Sequence, residues 1–172
     1  MDPHLQRLQR AVESAVSGLS AEQLLRHVPK KWCAAEILEH LYLSYTGTTK
    51  GFARVLEGGK PLASTLTFKN RAQSFLVVGL GYMPKGRESP ATARPRGIEP
   101  QKVLSEFSSK IADMDEVMTS CATRFGPRTK VLDHPILGPF SINQWRKFHL
   151  VHGLHHVAQI RVLRDQMQTG QI

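Results

Sequence analysis

The sequence predicts an all-α protein, a bundle of three or four long helices joined by loops. Apolar residues recur at three- and four-residue spacing along several long stretches, and no stretch alternates as a strand would. Capping residues open these stretches, and glycine or proline closes most of them. At 172 residues, with 41% hydrophobic and 22% charged residues, the chain suits one domain, residues 1–172, with one core and no need of staples.

Taken in order, residues 3–19 form the first helix, with Leu5, Leu8, Val12, Val16 and Leu19 on its buried stripe and Pro3 in its first turn. Ser20 and Gln23 make a capping-box pair that opens a short helix ending before Pro29. A long helix follows over residues 34–56, stopped by Gly58, Gly59 and Pro61. Its inward stripe holds Cys33, Ile37, His40, Ser44 and Gly47, while Glu39 is expected to face solvent. The small residues Ser44 and Gly47 leave room for close helix contact or for a ligand.

Residues 75–83 are apolar and glycine-punctuated, which reads as a brief buried helix. Residues 85–100, rich in proline, glycine and cations, read as an irregular surface loop. The next helix runs over residues 101–125, buried through Val103, Phe107, Ile111, Met114 or Val117, and Met118, and ended by Gly126 and Pro127. Residues 133–140 are expected to form an ordered loop. The last helix starts at the Ser141–Gln144 capping box and runs to about Met167.

That last helix concentrates the chemistry. Four of the eight histidines, His149, His152, His155 and His156, fall on it. At about 100° per residue His152 and His156 stand one above the other, with His149 about 60° or less from both. Trp145, Gln159 and Leu163 share the stripe, so it faces inward, and His155 lies on its flank. Two imidazoles at i and i+4 let a helix hold a transition metal from one side. The plainer alternative is a set of hydrogen-bonded core or surface histidines.

A chemically active zinc-type site takes three protein ligands and leaves one position open. The candidates for the third are His40, His4, His27, His134, Glu36, Cys33 and Cys121. His40 fits best, being mid-helix on a predicted core face; His4 and His27 lie near helix ends and His134 in a loop. Cys33 is about two turns from His40. A zincin motif, di-iron Glu-x-x-His pairs, phosphate loops and dinucleotide fingerprints do not occur.

The stretch Trp32-Cys33-Ala34-Ala35-Glu36-Ile37-Leu38-Glu39-His40-Leu41 resembles the Trp-Ser-x-x-Glu-x-x-x-His-Leu signature of the DinB-like superfamily. Val151-His152-Gly153-Leu154-His155-His156-Val157-Ala158-Gln159 resembles that family's paired-histidine helix. The series His-Pro…Gly-Pro…Trp…His-x-x-His-His-x-x-Gln looks most like a DUF1569-like branch of unassigned function. The resemblance implies a four-helix bundle with a three-histidine site, His40, His152 and His156, for a divalent metal, commonly zinc or nickel. It also implies a transferase or isomerase using a low-molecular-weight thiol, a small-molecule substrate and a possible homodimer. Cys33 departs from the usual Ser, and Val157-Ala158 from the frequent Arg-Gly.

On this reading the metal activates the thiol, and His155 or His149 carries a proton, although both also read as plain flanking histidines. Gln159 and Ser44 would contact the cofactor or substrate. The alternative is a non-catalytic, stress-associated bundle that binds metal or another ligand. The charge of +9 and pI near 9.9 prompt a nucleic-acid role, but no recognition motif accompanies the scattered cations, so no specific nucleic-acid partner is expected. Two cysteines, no apolar run of membrane length and no secretory leader lead to a cytoplasmic expectation.

Overall fold

The computed structural model describes residues 1–83 and 88–170, and within them the chain is mainly α-helical. Helix α1 (Pro3–Val16) opens on Asp2, whose carboxylate accepts from the His4 backbone N–H at 2.9 Å. Helix α2 (Ala21–Leu25) carries the expected Ser20–Gln23 capping box. Helix α3 (Ala34–Gly58) ends on Gly59, whose φ of 67° gives the left-handed turn that releases the chain. Helix α4 (Phe68–Ser74) passes into a π-helical turn (Phe75–Gly79), and a 3₁₀ turn (Ala91–Ala93) precedes α5 (Pro100–Phe125). Strands β1 (Lys130–His134) and β2 (Gly138–Ser141) lead into α6 (Ile142–Gln168).

The four long helices meet through apolar stripes, but Gly47 of α3 and Gln159 of α6, both expected to face inward, are exposed. Leu5, Leu8 and Val12 of α1, Ile37, Leu41, Tyr45 and Phe52 of α3, Val103, Ile111 and Met118 of α5, and Ile142 and Ile160 of α6 join one core. Helix α1 lies along α6, and α3 along α5. Gly153 lets α1 come close: a Cβ there would stand 2.0 Å from Leu8 Cδ1. Each fully buried side chain of this size contributes about 1.5–3 kcal/mol, so the core outweighs any single surface contact.

Three local expectations need correction. The loop expected at 133–140 is part of an antiparallel hairpin, pairing Leu132 with Phe140 and His134 with Gly138. Strands this short, interrupted by proline and glycine, show no alternation to read. The stretch at 75–83 is helical only over Phe75–Gly79 and buried only in part: Val77 and Val78 are buried, but Phe75, Leu76, Leu80 and Tyr82 are exposed. The turn rests on α6 by one side only. Residues 85–87 of the expected surface loop lie outside the described residues; its remainder folds inward, burying Ala93 against α3. No described helix is long and apolar enough to cross a membrane.

Candidate metal centre

Helices α3 and α6 run in opposite senses, so their aromatic rings meet in sequence. His40 faces His152 and His156, Tyr45 faces His149, and Phe52 faces Trp145. The start of α6 fixes this register: Ser141 Oγ accepts from Gln144 N at 3.3 Å, and Gln144 Oε1 accepts from Ser141 N at 3.1 Å. Trp145 Nε1 donates to the Leu132 carbonyl at 3.2 Å, tying the helix to the hairpin.

The result is a convergence of three nitrogens. His152 Nε2 lies 3.1 Å from His40 Nε2 and 3.1 Å from His156 Nε2. The ligand atoms of the three histidines all lie within 4.8 Å of one another. Their other nitrogens decide the tautomers. His40 Nδ1 is 2.7 Å from the Ala93 carbonyl oxygen and must donate to it. Likewise His156 Nδ1 donates to Gln159 Oε1 at 2.7 Å. Both Nε2 atoms are thereby left with bare lone pairs.

His152 Nε2 has at most one hydrogen when the ring is neutral, so it can satisfy only one of these two neighbours. Lone pairs aimed at one point suit a cation. Nitrogens about 2.0–2.1 Å from a tetrahedral ion stand about 3.3 Å apart, close to the separations here. The outward bonds to Ala93 and Gln159 are the kind that orient metal-binding imidazoles. His40, His152 and His156 therefore form a buried group that could hold a metal ion.

Electrostatics agree with this use. Burial pushes His156 down to about 3, helped by the neighbouring His40 ring and opposed by Gln159. Burial also lowers His40, against the opposing pull of the Ala93 carbonyl, and holds His152 well below its ordinary value together with the imidazoles around it. All three stay neutral near pH 7, as ligation requires.

Glu39 overturns an expectation: it is only 2% exposed rather than solvent-facing. Its Oε1 accepts from Arg96 N at 2.8 Å and its Oε2 from Gly97 N at 3.1 Å. The carboxylate thus clamps the 88–97 segment to α3, which sets the Ala93 carbonyl against His40. Ser89 Oγ also reaches His40 Nδ1 at 3.2 Å, and Trp32 packs beside the same ring at 5.2 Å. A backbone carbonyl leaves no residue-type signal, so Ala93 was not legible; the unusual carboxylate beside His40 was the available clue to Glu39.

The other predicted residues fall in various places. A cleft of about 1580 Å³ contains the trio together with Ser44, Gly47, His149, His155 and Gln159. Ser44 Oγ donates to the His40 carbonyl at 2.8 Å. Gln159 holds His156 by one end, while its Nε2 lies 3.3 Å from His155 Nε2. His149 is 1% exposed and stacks on Trp145; neither of its ring nitrogens has a hydrogen-bond partner. His134 also lines the cleft, but its Nδ1 accepts from the backbone N–H of Ile136 and Leu137 at 3.2 Å each, capping the hairpin turn.

Among the remaining candidates, Cys121 is buried, its thiol directed at the Phe52 carbonyl. His4 lies exposed at the start of α1. His27, Cys33 and Glu36 gather into a separate group within 4.8 Å, in which His27 is exposed and Glu36 caps the Cys33 backbone N–H at 2.8 Å.

No curated protein and no solved structure matches the chain. The family model described as "protein of unknown function (DUF1569)" matches residues 1–162. By that match, the chain belongs to the DUF1569 family.

Proposed function

We propose that this protein binds one divalent metal ion through His40, His152 and His156 within a DinB-like four-helix bundle, and uses it to activate a low-molecular-weight thiol for transfer to a small-molecule substrate. One observation carries the reading: two Nε2 lone pairs, fixed by outward Nδ1 hydrogen bonds, point at the Nε2 of His152. Zinc and nickel suit an all-imidazole donor set. A divalent ion held by neutral ligands keeps its full charge and acidifies a thiol or water placed beside it.

The chain's own residues supply the rest. Ala93 and Gln159 keep the two outer imidazoles oriented. Gln159 also reaches His155, which borders the cleft and is our candidate proton carrier, while His149 lies deeper against Trp145. Ser44 and Gly47 leave space on α3 for the substrate.

A second reading, metal binding without turnover, is favoured by the burial of His40 and His156. Metal content, measured on tag-free protein beside His40→Ala and His152→Ala, tests the common part. We expect about one divalent ion per chain, lost in both variants. Protein that takes up neither zinc nor nickel would refute it. Thiol-dependent turnover with an electrophile panel then separates the two readings.

A further inference from the structure

The charges that line the cleft are strongly biased. Among the described residues, Lys30, Lys31, Lys50, Arg54, Arg94 and Arg96 border it, against only two carboxylates, Glu88 and Asp133. Both carboxylates are engaged: Glu88 holds Arg94 at 2.6 Å, and Asp133 Oδ1 accepts from Ser64 N at 3.0 Å. Among the described residues, no carboxylate pairs with Lys30, Lys31, Lys50, Arg54 or Arg96.

These cations fall into two groups. Lys30, Lys31 and Arg96 belong to the segments that flank His40, one beside Trp32 and the other held by Glu39. Lys50 and Arg54 lie farther along α3, about 15 Å and about 21 Å from His40 at 1.5 Å per residue. Apart from these charges the cleft is lined by neutral groups, among them the histidines, Trp145 and Phe148. A concave, low-dielectric wall rimmed by one sign of charge concentrates ligands of the other sign.

We propose that the cleft selects small anionic molecules bearing a carboxylate or a phosphate, with the cations at one end or the other receiving the negative group. This rests on the metal reading only for what happens at the three histidines; the charge selection stands on the cleft itself. The reading therefore has its own test. The full chain is titrated calorimetrically with succinate, glycerol 3-phosphate and neutral succinamide, once after EDTA treatment and once loaded with zinc.

At least one anion should bind tenfold or more tightly than succinamide in both forms. Raising salt from about 0.05 M to about 0.5 M should weaken it several-fold, since both cationic ends are solvent-accessible. Of the double variants Lys30→Gln/Lys31→Gln and Lys50→Gln/Arg54→Gln, checked for an unchanged helical spectrum, at least one should lose fivefold or more, and the one that does marks the end that receives the anion. The preferred anion identifies carboxylate or phosphate as the recognised group. Equal binding of succinamide, no heat with any probe, or wild-type affinity in both double variants would overturn the proposal. Failure to take up zinc would instead strike the metal reading, leaving the EDTA-treated titration to decide this one.

Discussion

Glu39→Gln is the most informative single change, because it alters one buried oxygen and leaves every ligand in place. In the native protein the two carboxylate oxygens accept separately from Arg96 N and Gly97 N at 2.8 and 3.1 Å. An amide offers one acceptor and one donor, so one of the backbone N–H groups would face another N–H. An unsatisfied buried donor costs about 1–3 kcal/mol, and the surviving bond loses its charge assistance, about another 1 kcal/mol. We expect a loss of about 2–4 kcal/mol in urea unfolding. Once the segment loosens, His40 Nδ1 loses the Ala93 carbonyl, and zinc affinity should fall about 10- to 100-fold. Competition against a chromophoric chelator reads that affinity directly. Arg96→Ala is the control: it keeps the backbone donor and should leave zinc affinity near wild type. If Glu39→Gln stays within about twofold of wild type for zinc and about 0.5 kcal/mol in stability, the clamp does not position His40.

Two further outcomes follow from buried polar groups. Burial pushes His149 down to about 3, with a lesser contribution from His134, so the unfolded chain takes up this proton first as pH falls. Stability is therefore full above about pH 6.5 and drains away toward pH 3, by about 2 kcal/mol at pH 5 from this ring alone. His149→Phe should flatten urea-derived stability between pH 7 and 5; an unchanged pH dependence would sink the assignment. Asp115 accepts from Arg146 at 2.7 Å and from Asp2 N at 2.8 Å, both side chains being nearly buried. Asp115→Ala should cost about 3–4 kcal/mol by stranding Arg146, and Asp115→Leu/Arg146→Met should recover much of it. Additive losses across Asp115→Leu, Arg146→Met and the pair would show that the two charges do not support each other.

The periodic parts of the fold were legible and the rest was not, for physical reasons. Leu5 to Val12, Ile37 to His40 and Val103 to Met118 repeat with the helix, and burial follows the repeat. Ser20 and Ser141 announce their helices because a capping box is a local event within four residues. His152 and His156 share a face by the same arithmetic, and His40 was reachable as a mid-helix histidine on a predicted core stripe. Glu39 failed because periodicity assigns a side, while burial there depends on a segment some sixty positions later folding over it. The hairpin failed because pairing of Leu132 with Phe140 is decided between strands, not within either one.

The bond from His40 to the Ala93 carbonyl has a consequence for variation. A carbonyl belongs to every residue, so replacing Ala93 by another small residue would leave that acceptor in place. Lengthening or shortening the segment between Ser89 and Gly97 would shift it out of reach while all three histidines remained intact. The site is thus tolerant of spelling and intolerant of spacing along this stretch. Loss of binding in a relative that keeps the three histidines would be sought first in an insertion or deletion there.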